Sequence, residues 1–145
     1  MTWLHIDPFS GASGDMLLGA FVDAGVPLAA LADGLSSLGV DGWRLRRSER
    51  RDPRVGGTKV DVLLDEPEHG HPHRHLSDVA QIIAASSLPE RVKARATAAF
   101  GTLAEAEAEV HGTTKEHVHF HEVGAVDAIV DVCGVLLAAE LLGLD

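Results

Sequence analysis

The sequence predicts one α+β domain, or an α/β one, of short strands with packed helices. Three observations predict it. Five segments place apolar residues at helical spacing, four shorter ones read as strands, and a glycine follows most of the helices. The 145 residues are enough for one ordinary domain, and no linker-like stretch divides them. Hydrophobic residues make up 46% of the chain but aromatic ones only 4%, with no Tyr, so the core must be aliphatic.

Trp3 to Asp7 reads as a first strand, and Pro8-Phe9-Ser10-Gly11-Ala12-Ser13-Gly14 as a loop of mostly small residues. A helix from Asp15 to Ala24 follows, with Ser13 as its N-cap, Asp15 at the positive end of its dipole and Gly25 as its stop. Leu28, Leu31, Leu35 and Leu38 mark a second helix from Pro27 to Leu38, closed by Gly39. Trp43 to Arg47 and Thr58 to Leu64 read as strands joined through Pro53 and Gly56-Gly57. Residues 65 to 75 hold two prolines, a glycine and four histidines, which makes them a loop.

A helix from Ser77 to Ala85 comes next. Ser87-Leu88-Pro89-Glu90 has the form of a capping box that opens a long helix to His111, stopped by Gly112. Val92, Ala96, Ala99, Leu103, Ala106 and Val110 form its expected buried stripe. His117 to Glu122 alternates as a strand. Val126, Ile129, Val130, Cys133, Leu137 and Leu141 mark the buried face of a last helix, stopped by Gly143. There is one faint internal echo: Gly11-Ala12 leading to Asp15 and Gly124-Ala125 leading to Asp127 both join an expected strand to a helix.

Formal net charge is −10, which argues against nucleic acid and anionic membrane as partners. Arg44, Arg46, Arg47, Arg50, Arg51 and Arg54 supply half of the twelve basic residues. They read as a charged strand edge protected against aggregation, or as an anion site. Cys133 is the single cysteine and falls in a buried stripe, so it reads as core. The N-terminus lacks the pattern of a signal peptide, and no apolar run is long enough to span a bilayer. Those features suit a reducing cytoplasm.

Three constellations can carry chemistry. The first is His69, His71, His73 and His75, alternate residues of an extended segment, with Glu66 and Glu68 nearby. Imidazole suits nickel, zinc, copper and iron. The same composition also describes a solvated, unstructured metal-scavenging tract. The second is His117-Val118-His119-Phe120-His121-Glu122, followed by Asp127 and Asp131. On a strand the three histidines share a face while Val118 and Phe120 pack behind them. Asp127 and Asp131, four apart, share a helix face and could orient the imidazoles. The bland alternative is that these are satisfied structural residues. The third is the first loop, where Ser10, Gly11, Ser13 and Gly14 could hold a phosphate at a helix N-terminus. Asp7 and Asp15 are candidate catalytic groups for proton transfer there, unless the segment is only a tight turn.

Four stretches together resemble the LarC family of nickel insertion proteins. They are Ile6-Asp7-Pro8-Phe9-Ser10-Gly11-Ala12-Ser13-Gly14-Asp15-Met16, Gly57-Thr58-Lys59-Val60, the histidine loop into His75-Leu76-Ser77-Asp78, and Val118-His119-Phe120-His121-Glu122-Val123-Gly124-Ala125-Val126-Asp127-Ala128-Ile129-Val130-Asp131. The resemblance implies insertion of Ni2+ into pyridinium-3,5-bisthiocarboxylic acid mononucleotide, giving a nickel-pincer cofactor. That is a lyase or chelatase class of reaction, and in the full-length family it uses CTP with Mg2+ or Mn2+. It also implies that residues 1–145 form the N-terminal region, with the CTP-associated domain in a C-terminal partner region. The implied metal ligands are His69, His71, His73, His75, His119, His121, Glu122 and Asp127, of which His119 and His121, backed by Glu122 and Asp127, are preferred. The alternative is a non-catalytic nickel storage or delivery module. Formation of a homo-oligomer is left open.

Overall fold

The computed structural model describes residues 4–9, 11–51, 56–65, 74–120 and 124–144. The order is α1 (Gly14–Asp23), α2 (Leu28–Ser36), β1 (Trp43–Arg51), β2 (Gly56–Leu64), β3 (Arg74–His75), α3 (Leu76–Ala85), α4 (Glu90–His111), β4 (His119–Phe120) and α5 (Val126–Leu141). This is an α+β arrangement. Its strands form two antiparallel pairs, β1 with β2 and β3 with β4. Among the described residues no helix is long and apolar enough to cross a membrane.

Helix α5 is the centre. It packs on α1, α2, α4 and β2, and its Ile129, Val130, Cys133, Gly134, Leu137 and Ala138 are buried. The core around it is aliphatic, as the composition demands, apart from Phe21, Phe100 and Phe120. Burial pushes the Cys133 thiol up to about 12, so it stays protonated and serves as packing.

Both sheet hairpins extend what the sequence suggests. β1 and β2 pair along their whole length, from Trp43 opposite Leu64 to Arg51 opposite Gly56. Two arginines of β1 meet acids: Arg44 pairs with Asp65, and Arg46 reaches Asp61 at 3.1 Å. A charged strand surface fits those pairs. The other antiparallel pair, the histidine hairpin, is joined through α3 and α4 instead of a turn and is new. His75 belongs to a strand and not to a loop, and it faces His119 in register, as Arg74 faces Phe120.

Four expectations need correction. Residues 4–8 form no strand, because alternation makes a strand only where a paired edge exists. The strand over 117–122 is limited among its described residues to His119 and Phe120, and His117 lies in a turn. The Ser87 capping box does not form, since Pro89 is the N-cap of α4. Proline disfavours helical conformation in the residue before it, so the helix starts later, and the Ser87 N–H instead donates to Ser37 Oγ at 3.2 Å. Finally, the buried face of α4 is Val92, Ala96, Phe100, Ala104 and Ala108. A step of four residues drifts about 40° round a helix, so the stripe winds, and α4 packs on both α3 and α5. Val110 is left 80% exposed and Leu103 36%.

Candidate metal and substrate site

The histidine hairpin is held by its backbone and its neighbours. Val118 and Phe120 are buried, and the Phe120 ring lies 6.3 Å from that of Phe100 on α4. That is the apolar anchoring the alternation predicts. His75 is the N-cap of α3, and its N–H donates to Asp78 Oδ2 at 2.8 Å, which explains the His75-Leu76-Ser77-Asp78 stretch as a helix start. The His75 ring Nδ1 lies 3.1 Å from the Val118 carbonyl. A carbonyl only accepts, so in the neutral ring Nδ1 carries the proton and the lone pair is on Nε2. Metal-binding histidines are commonly oriented by such a contact.

Arg74 fastens this hairpin to the start of α5 by donating to the Gly124 carbonyl at 2.7 Å. A Cβ on Gly124 would fall 2.8 Å from Phe120 Cβ, so the approach requires glycine. Asp127 follows in the exposed first turn of α5. His117 is taken elsewhere, with Nδ1 2.9 Å from Thr114 Oγ, so it does not share a strand face with the other histidines. His69, His71, His73, His121 and Glu122 lie outside the described residues, as does Ser10. Among the described residues no group of three or more metal-binding side chains is gathered.

The second assembly lies at the start of α1. Its hub is Gly14, against which the Asp131 side chain of α5 packs so closely that a Cβ would fall 2.4 Å from Asp131 Cγ. Any other residue would push the carboxyl away. Burial, with the negative charges of Asp15 and Asp127, pushes Asp131 up to about 6. Its Oδ1 is shielded from solvent and accepts no hydrogen bond among the described residues. A carboxyl of that kind exchanges protons near neutral pH.

Asp15 accepts from Ser13 Oγ and, at 2.9 Å, from the Met16 N–H. Lys59 of β2 reaches Asp15 at 3.7 Å and also pairs with Asp61. The hydrogen bond that Lys59 donates to Asp61 is the main reason why the Lys59 ammonium is held above its ordinary pKa, and Lys59 and Arg46 hold Asp61 below its own. Thr58 adds a 2.8 Å hydrogen bond to Asp23. The Gly57-Thr58-Lys59-Val60 stretch is thus the seat of α1.

The expected phosphate cradle is only partly open. The Gly11 N–H donates to the Pro8 carbonyl at 2.9 Å, and the Asp15 carboxylate takes the Met16 donor. Asp7 sits on the exposed irregular segment before the loop. Beside Ser13, Gly14 and Asp131 opens a cavity of about 550 Å3 between α1, α4 and α5. Asp131 had stood out only as a carboxylate on the face of Asp127, and Lys59 only as part of a motif. The i,i+2 spacing of Lys59 and Asp61 does place them on one strand face, but nothing in it points to Asp15.

The echo between the two Gly-Ala-to-Asp segments has a structural counterpart. Helices α1 and α5 each begin with an acid in the first turn and pack on one another.

Residues 4–145 match the family model described as "Nickel insertion protein". A protein of Thermomicrobium roseum is 56% identical over 144 residues, taking in 97% of this chain and 34% of the relative. Other relatives carry the name "Pyridinium-3,5-bisthiocarboxylic acid mononucleotide nickel insertion protein". That of Desulfitobacterium hafniense is 46% identical over 97% of this chain and 34% of its own length. That of Geobacillus kaustophilus is 43% identical over 100% of this chain and 37% of its own length. The chain therefore spans about a third of the length of the curated relatives it matches. No solved structure matches it. With nearly every residue inside the matched range, this chain belongs to the nickel insertion protein family.

Proposed function

We propose that this chain is the nickel- and substrate-handling N-terminal region of a nickel insertase acting on pyridinium-3,5-bisthiocarboxylic acid mononucleotide. The observation that carries the reading is the pairing of His75 with His119, in a hairpin fastened by Arg74 to the start of α5 and hence to Asp127. Two histidine-bearing segments 44 residues apart, counted from 75 to 119, are thereby brought to one place. Nickel is the cargo. Nitrogen and oxygen ligands hold it with intermediate strength and release it to softer sulfur, as the two thiocarboxylates of the substrate require. His119 and His121, with Glu122 and Asp127, form the holding site, and His69, His71 and His73 form the approach to it. CTP, with Mg2+ or Mn2+, is used by the C-terminal region, and the work is cytoplasmic.

The test combines this chain with the C-terminal region of a full-length relative, Ni2+, CTP, Mg2+ and the precursor, and measures nickel-bearing product by mass. Insertion well above that of the C-terminal region alone is expected, and H119A/H121A removes the gain. No gain from adding this chain would overturn the reading. Should replacement of His69, His71, His73 and His75 by Ala abolish nickel binding while H119A/H121A leaves it intact, the chain is a storage or delivery module instead.

A further inference from the structure

The α1/α4/α5 cavity has features that packing does not explain. Its walls are apolar, with Ala99 and Leu103 from α4 and Val132, Val135 and Leu136 from α5. Leu103 stands off the buried stripe of α4 and remains 36% exposed. At about 550 Å3 the cavity falls inside the roughly 300–1,000 Å3 range of small-molecule sites. Among the described lining residues the polar side chains are Ser13 and Asp131, which come together beside Gly14.

The Asp131 carboxylate is out of place in such surroundings. One of its oxygens is shielded from water and has no donor among the described residues, an arrangement that costs free energy until a donor or cation arrives. The ammonium at the start of α1, Lys59, is engaged by Asp61 and Asp15. The charges acting on Asp131 are the negative ones of Asp15 and Asp127. An apolar slot with an uncompensated carboxylate at one end complements a flat, apolar, positively charged ring. Such a cation is weakly hydrated, so it enters an apolar wall at low cost and pairs with the acid.

We infer that this cavity is the subsite for the pyridinium ring of a mononucleotide, with Asp131 as the counter-ion of the ring's charge. The identity and flatness of the ring rest on the proposed function; its apolar character and charge rest on the cavity. The acid groups of the substrate named for the relatives sit on ring carbons 3 and 5, away from the nitrogen, so a carboxylate at the nitrogen's edge avoids them. Gly14 has a matching part, because only a residue without a Cβ lets Asp131 reach this end of the slot.

The test needs no variant to begin. The chain is titrated calorimetrically with nicotinamide mononucleotide, whose ring is cationic, and with its reduced dihydro form, whose ring is neutral on the same ribose and phosphate. Binding of the cationic form at least ten-fold tighter is expected. D131N should lose most of that preference and D131E keep part of it, with circular dichroism confirming that each is folded. Equal binding of the two forms, no binding of either, or a preference unchanged in a folded D131N would overturn the inference. Running D131N in the nickel insertion assay separates the two proposals. Wild-type insertion by D131N without ring selectivity sinks the cavity alone, and ring selectivity in the wild-type chain that is lost in D131N, with no insertion by the wild-type chain, sinks the proposed function alone.

Discussion

Around β3 and β4 the candidate ligands stand on backbone that pairs with backbone, whereas at the start of α1 the ionisable groups meet through side chains from three elements. The hairpin is short, and its stability is borrowed from Phe120 against Phe100 and from Arg74 on Gly124. Two paired strands alone are marginal in water, so this hairpin is a seat that the core holds in place. The corner at Gly14 is different. There α1, β2 and α5 approach so closely that a carboxylate lies against a bare glycine, with a lysine bridging two acids nearby. A site for a metal in transit gains from a seat that the core positions but does not enclose. A site that recognises a ring gains from rigid walls and one misplaced charge.

The largest expected effect breaks the hairpin side. F100A removes the aromatic partner of Phe120 from the core and should destabilise the chain by about 3–5 kcal/mol, read as a shift in urea midpoint. Amide exchange at residues 74–75 and 118–120 should rise more than in the first turns of α5. Uniform loss across both regions would show that the hairpin is not separately seated.

The next largest breaks the corner. G14A places a methyl on the Asp131 carboxyl and should cost about 1–3 kcal/mol. Combining it with D131A should recover part of that loss, because the two changes touch the same contact. Strict additivity would contradict the close approach.

A smaller effect sharpens the charge argument. Asp131 ionises at about 6 in the folded chain against an ordinary 3.8. Its raised value means that protonation favours the folded state. Its contribution is full below about pH 4 and is lost as pH rises through 6. D131N escapes that loss, so it should be more stable than wild type at pH 8, by on the order of 1 kcal/mol after allowance for solvent screening of a half-buried group. The difference should vanish near pH 4, and thermal melts across that range decide it. The smallest effect is at Lys59, whose ion pairs are exposed. K59M should lower the urea midpoint only slightly and lose its effect in high salt.

How far the sequence could be read follows the range of the interactions. Four of the five helices were legible to within about two residues at each end, since capping and stop signals are local. Their ends needed only glycines such as Gly112, whose φ of 62° closes α4. The inward side of β4 was legible because Val118 and Phe120 alternate with histidines. The strand expected over Trp3 to Asp7 does not form among its described residues, because a strand depends on a partner that no local pattern contains. The stripe of α4 was misread from Ala99 onward because its direction depends on where α3 and α5 lie. The same limit hid the corner. Gly14, Lys59 and Asp131 are far apart in the chain, and only the packing of α1 on α5 and β2 shows that they meet.

The most direct test of the central claim is an anomalous map from nickel-soaked crystals of the chain. The account predicts an ordered nickel peak bonded to the rings of His119 and His121, beside the start of α5. A peak confined to His69, His71 and His73, or none at any histidine, would contradict it.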